Sequence, residues 1–131
     1  MTYLANKSIL IVEDEPFIAL DIAGALEDAG GQPVGPAATV ADALALIAET
    51  PPDGAILDVN LIDGDVGPVI EALHGRAALL VQTAVGLPAD VASKFPDVPV
   101  CRKPVETDEL TRLLGLLLRA RAIGGSGGAG D

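Results

Sequence analysis

Gly54-Ala55-Ile56-Leu57-Asp58-Val59-Asn60-Leu61 is the stretch on which the reading of this chain turns. A short apolar run enters a carboxylate, and the small and acidic residues Ile62-Asp63-Gly64-Asp65 follow. Ala, Ile and Leu carry no polar side-chain atoms that need partners, so the run predicts a strand buried on both faces. Asp58 then stands where the strand leaves the core and the chain turns. In an open α/β sheet, chemistry gathers at that carboxyl edge. Asp is equally at home opening a turn, so this strand alone leaves both roles open. The segments on either side decide between them.

Upstream, Ser8-Ile9-Leu10-Ile11-Val12 is another run of strand length, closed abruptly by Glu13-Asp14-Glu15. Pro16 suits a first helical turn, and Ile18, Ile22, Ala25, Leu26 and Ala29 then recur at helical spacing up to the stop at Gly30-Gly31. Gln32-Pro33-Val34-Gly35 predicts a weak strand, which its proline confines to a sheet edge. Thr39 is placed to cap a helix whose apolar face is Val40, Ala43, Leu44, Ile47 and Ala48, ended by Pro51-Pro52. Downstream of Asp58, Val66, Val69, Ile70 and Leu73 mark a short helix. A strand over Ala77–Val81 follows and leads into Gln82-Thr83-Ala84. Pro88 to Phe95 is a poor helix between breakers, and Val98–Cys101 a last strand entering Arg102-Lys103-Pro104. Thr107 is read as the cap of the clearest helix, with Leu110, Leu113, Leu114, Leu117 and Leu118 on one face. Gly and Ser dominate residues 123–131, a composition that predicts a disordered tail.

Composition narrows the function classes. The 131 residues suit one domain, and with 50% hydrophobic but only 2% aromatic residues its core must be aliphatic. Eight Lys and Arg against nineteen Asp and Glu give a net charge of -11. That balance argues against phosphate-backbone contacts with nucleic acid and against an anionic membrane surface. One cysteine, Cys101, excludes an internal disulfide, and no apolar run has the length of a signal sequence or membrane span, so a cytoplasmic protein is expected.

Five apolar strands alternating with five helices imply a parallel sheet covered on both faces. Parallel strands put Glu13, Asp14, Asp58, Thr83 and Lys103 on one rim, each the polar residue just after an apolar strand. Three neighbouring carboxylates repel one another unless a cation joins them. An oxygen-only donor set suits Mg²⁺ better than zinc, for which there is no His/Cys cluster. Lys103 supplies a point charge for a phosphoryl oxygen and Thr83 a hydroxyl donor. A carboxylate in that company can attack phosphorus.

With these residues in this order, the chain resembles the receiver domains of two-component response regulators. The resemblance rests on Val12-Glu13-Asp14-Glu15, Leu57-Asp58-Val59-Asn60-Leu61, Thr83-Ala84 and Lys103-Pro104, and covers residues 7–122. It implies a flavodoxin-like α/β fold, a doubly wound five-stranded parallel sheet of order 2-1-3-4-5 with five helices. It implies that Asp58 accepts a phosphoryl group from a histidine kinase or histidine phosphotransfer protein. Asp14, Asp58 and the main-chain carbonyl of Asn60 would ligate Mg²⁺, with Glu13 acting through water. Thr83 and Lys103 would hold the phosphoryl oxygens. The implied protein is a stand-alone switch that signals through a protein surface, not a turnover enzyme. Two features depart from the family. Val100 stands where receivers commonly carry Tyr or Phe, and the third and fourth helical regions are short. Pro99 to Pro104 resembles an alphaproteobacterial subgroup marked by Phe-Ala-Thr-Gly, of which only Thr83 is retained.

Two other readings compete. A haloacid dehalogenase-like phosphohydrolase also combines Asp, Thr, Lys and Mg²⁺, but it needs a second Asp where this chain has Asn60. A receiver fragment of a hybrid histidine kinase would share every motif quoted above. His74, the only histidine, is read as a surface residue, Cys101 as a small hydrophobe, and Asp63 to Asp65 as a solvated turn.

Overall fold

A computed structural model describes residues 2–128, with side chains through residue 123. The elements are β1 (Ser8–Val12), α1 (Pro16–Asp28), β2 (Gln32–Ala37), α2 (Val40–Glu49), β3 (Gly54–Asp58), β4 (Asn60–Leu61), β5 (Gly64–Asp65), α3 (Gly67–Leu73), β6 (Ala78–Thr83), α4 (Ala89–Lys94), β7 (Val100–Arg102) and α5 (Thr107–Gly128). Five of the strands form one parallel sheet in the order β2-β1-β3-β6-β7. Counted within that sheet alone, the order is 2-1-3-4-5, the flavodoxin-like arrangement expected. β4 and β5 pair separately as a two-stranded antiparallel hairpin in the acidic loop, an element the sequence reading did not foresee.

Side chains alternate across a strand, so each central strand feeds two cores. Ile9, Ile11, Ile56, Ala78 and Leu80 pack on one face with Ala19, Ile22 and Leu26 of α1 and Leu110 and Leu114 of α5. Leu10, Val12, Ala55, Leu57, Leu79 and Val81 pack on the other with α2, α3 and α4. Both faces of the sheet are thereby dry, and the polar strand ends become the place where charge collects.

Several helix details differ from expectation. In α1 the buried residues are Ala19, Ile22 and Leu26, while Ile18 is partly exposed and Phe17 and Leu20 face solvent. In α2, Leu46 packs against the core and Ala48 does not. Thr39 does cap α2, its hydroxyl accepting from the Asp42 N–H at 3.0 Å. Thr107 is the first residue of α5 and not its cap. The last sheet strand lies over Val100–Arg102, later than Val98–Cys101. β2 bends where Gly35 takes a φ of +92°, and a Cβ there would stand 2.8 Å from the Ala37 nitrogen, so only glycine fits.

The domain begins before residue 7. Leu4 is fully buried, and its N–H donates to the Ala29 carbonyl at 3.0 Å. Gly115 makes room for this segment against α5, since a Cβ there would meet the Tyr3 Cβ at 2.8 Å. At the other end α5 is continuous to Gly128, across the boundary expected at 122. Residues 129–131, the rest of the expected disordered tail, lie outside the described residues.

Candidate functional site

The carboxyl edge of the sheet carries the residues in question because each follows, or ends, a strand of the parallel sheet. Glu13 and Asp14 come straight after β1, Asp58 ends β3, Thr83 ends β6, and Lys103 follows β7. Glu13, Asp14 and Asp58 come together: one carboxylate oxygen from each lies within 4.8 Å of the others. Asp14 is exposed, whereas Glu13 and Asp58 are only 2% and 8% exposed.

Lys103 joins the two buried acids. Its Nζ is 3.3 Å from Asp58 Oδ1 and 3.4 Å from Glu13 Oε1. Asp58 Oδ1 also accepts from the Val59 N–H at 2.9 Å. Glu13 Oε2 accepts from the Glu15 N–H at 3.1 Å. Burial nevertheless pushes the Glu13 carboxyl up to about 7. The charge of Asp58 adds to the rise, while the Glu15 N–H and Lys103 oppose it. Burial pulls the Lys103 ammonium down, but Glu13 and Asp58 outweigh it, so the net shift is upward and the lysine is held charged.

Thr83 is at the rim but turned to its own loop. Its hydroxyl accepts from the Val85 and Gly86 N–H groups, both at 3.1 Å, and donates to the Gly86 carbonyl at 3.4 Å. Its link to Lys103 is through the main chain, the Lys103 N–H donating to the Thr83 carbonyl at 2.9 Å. Asn60 lies two residues past Asp58, exposed at the start of the β4–β5 hairpin.

Sequence reasoning missed Gln82. Its side chain is buried and donates from Nε2 to Glu13 Oε1 at 3.4 Å, so Gln82 and Lys103 share one oxygen of Glu13. The available signal was an amide inside an apolar strand, one residue before the rim. Asp63 is also more than a solvated turn. Its carboxylate accepts from the Val40 N–H at 2.7 Å and the Ala41 N–H at 3.1 Å, tying the acidic loop to the start of α2. His74 is a surface residue as expected, with Nε2 2.9 Å from the Asp97 carboxylate. Cys101 packs against the α1/α5 core, and burial raises its thiol.

An oxygen-only cluster beside a lysine suits a hard divalent cation, and among the described residues no His or Cys joins the cluster. The donor chemistry therefore fits Mg²⁺.

No known protein-family profile matches the chain. It is 34% identical over 114 residues to the acid tolerance regulatory protein ActR of Rhizobium meliloti, across 83% of this chain and 58% of that one. It is 35% identical over 115 residues to the photosynthetic apparatus regulatory protein RegA of Rhodovulum sulfidophilum, across 83% of this chain and 62% of the relative. The chain thus spans less than two thirds of the length of these curated relatives. Among solved structures, a CheY-like response regulator receiver domain protein of Methanospirillum hungatei superposes with a TM-score of 0.80 at 23% identity. The match covers 92% of this chain and 99% of that one. The response regulator PhyR of Brucella abortus superposes with a TM-score of 0.78 at 28% identity, over 95% of this chain and 53% of that protein. The chain is thus similar in sequence to response regulators and has the fold of their receiver domains. Among the described residues, no helix is long and apolar enough to cross a membrane.

Proposed function

We propose that the chain is a phosphoacceptor switch, in which Asp58 takes a phosphoryl group from a phosphohistidine of a histidine kinase or histidine phosphotransfer protein. The observation that carries the reading is Lys103 Nζ poised 3.3 Å from Asp58 Oδ1 beside two further carboxylates. A buried carboxylate, an ammonium and a cation-binding cluster are what in-line phosphoryl transfer requires. An oxygen of Asp58 forms the new bond to phosphorus while the phosphorus–nitrogen bond of the donor breaks, and the imidazole keeps that electron pair and takes up a proton. Asp14, Asp58 and the Asn60 main-chain carbonyl would hold Mg²⁺, with Glu13 acting through water. Bound there, the ion neutralises charge on the transferring oxygens.

The protein's own groups divide the remaining work. Lys103 releases Glu13 and Asp58 in part to bind a phosphoryl oxygen, and the Val59 N–H orients Asp58. Thr83 gives up the Gly86 carbonyl to donate its hydroxyl proton to another phosphoryl oxygen, and that exchange moves the loop into α4. The working unit is the expected 7–122 segment, extended at its start to include Leu4, and the altered surface is read by a protein partner. A switch of this kind is labelled once and reset slowly and does not turn over substrate.

The test is mass spectrometry after incubation with acetyl phosphate and Mg²⁺. One phosphoryl group should be added, and Asp58→Asn should prevent it. Comparable labelling of Asp58→Asn would overturn the assignment. Omission of Mg²⁺ should abolish labelling of the wild-type chain.

A further inference from the structure

The amino edge of the sheet, at the far end of the strands from Asp58, holds a cleft of about 780 Å³. Leu79, Val98, Leu117 and Leu118 give it an apolar lining, and Lys7, Arg76 and Arg121 line it as well. The chain has eight basic residues against nineteen acidic ones, yet three of the eight meet here. Lys7 precedes β1, Arg76 lies between α3 and β6, and Arg121 comes from α5, so the fold gathers them from three separate segments.

The acids of the cleft are already engaged. Asp53 accepts from the Ser8 N–H at 2.9 Å and from its hydroxyl at 3.3 Å, and Asp97 is bound to His74 at 2.9 Å. Among the described residues, no ion pair involves Lys7, Arg76 or Arg121. Arg121 is oriented across the cleft by donating to the Gly75 carbonyl at 3.0 Å. Small-molecule sites are clefts of about 300–1,000 Å³, largely apolar with a few placed polar groups. Both the size and the lining meet that description. An inorganic anion would use the cations and leave the leucine wall wet, and a neutral apolar molecule would leave the cations without a partner.

We propose that this cleft binds a small amphipathic anion, a carboxylate or phosphate monoester carried on an apolar chain. Lys7 and Arg76 hold the anionic group, and the half-buried Leu117 and Leu118 cover the apolar body. Such a ligand bridges the end of α5 to the turn between α3 and β6, so it acts on the fold without touching the Asp58 rim.

Isothermal titration of the full chain with decanoate and with decyl phosphate tests this, with decanol as the neutral control. Saturable one-to-one binding of at least one of the two anions is expected, with decanol weaker by at least about tenfold. Lys7→Ala combined with Arg76→Ala should weaken anion binding by about tenfold or more, with the thermal midpoint and Asp58 labelling unchanged. Both residues are exposed, so the variant should fold. Absence of saturable binding by either anion, equal binding of decanol, or undiminished binding by the variant would each overturn the proposal. Phosphatidylglycerol vesicles form the last arm. Retention of the wild type on vesicles, lost in the variant, would assign the cations to a lipid headgroup and overturn a free ligand.

Discussion

Glu13 places a carboxyl where the fold leaves it almost no water. With a folded value of about 7 against an ordinary 4.5, it binds protons more tightly folded than unfolded. A carboxyl shifted upward weakens the fold as pH rises: nothing is lost below 4.5, the loss grows from there to about 7, and it is complete above. The whole effect is on the order of 3 kcal/mol in the metal-free protein. Urea unfolding should therefore show Glu13→Gln more stable than wild type at pH 8 and equal to it at pH 4. An equal difference at both pH values would mean that the charge is not the cause. Gln82 bears on the same carboxylate from below. Gln82→Leu removes a buried donor to a charged group, and at pH 8 should destabilise the metal-free protein by about 1–3 kcal/mol. The same unfolding curves at pH 4, with Glu13 protonated, should show a smaller loss. The crowding of carboxylates was legible in the sequence, but the pairing of Gln82 with Glu13 was not, because the two are 69 positions apart.

At the scale of elements, the central strands were readable, the β4–β5 hairpin was not, and the helix faces were readable only partly. A strand buried on both faces is a plain apolar run, and a change to polar residues marks its end, as at Val12-Glu13 and Leu57-Asp58. Helix α1 is apolar nearly all round from Phe17 to Leu26, so spacing alone could not choose Ala19 over Ile18 as the buried position. The acidic loop was opaque for another reason: Asp63 finds its donors on α2, more than twenty residues away. The bond from the Val40 N–H, chiefly, holds the Asp63 carboxyl below its ordinary 3.8. A carboxylate lowered in this way stabilises the fold above its ordinary value, and the contribution disappears as pH falls through the folded one. Asp63→Ala should lower the thermal midpoint at pH 7, with the two proteins converging only below pH 3.8. Helix α4 is the element with least to hold it. It has six residues, buries Val91, and is followed by buried Phe95; an isolated helix under about 12 residues is marginal in water. Beyond the packing of Val91 and Phe95, the polar ties to the α3 side are exposed pairs, Lys94–Glu71 at 3.2 Å and, past the end of α4, His74–Asp97 at 2.9 Å, and such pairs contribute little. Amides from Leu87 to Phe95 should exchange fast in the free protein and change rate with beryllofluoride and Mg²⁺, while the sheet strands stay protected. Protection equal to that of Leu110–Leu118, unmoved on activation, would refute this.

At the scale of the molecule, the unequal distribution of charge bears on stability. The chain carries a net charge of -11, and three of its carboxylates crowd one rim. Lys103 is the lysine that answers them, at 3.3 Å from Asp58 and 3.4 Å from Glu13. Both buried acids depend on that one ammonium, so above pH 7 the rim without a divalent ion keeps an excess of negative charge in a poorly hydrated place. An ion held by the folded rim and not by the unfolded chain, as proposed for Mg²⁺, should at a hundred times its dissociation constant add about 2.7 kcal/mol. For a domain of this size that is a rise of roughly 5–10 °C in the thermal midpoint. Asp58→Asn discriminates repulsion from simple loss of contacts. The amide oxygen can still accept from the Val59 N–H, and Lys103 keeps Glu13, so the substitution removes two repulsions at the expense of one attraction. Thermal melts at pH 8 in chelator should show Asp58→Asn more stable than wild type, and Mg²⁺ should raise its midpoint by less than half the wild-type shift. A variant less stable than wild type in chelator would mean that Lys103 already balances the rim and that the repulsion argument is wrong.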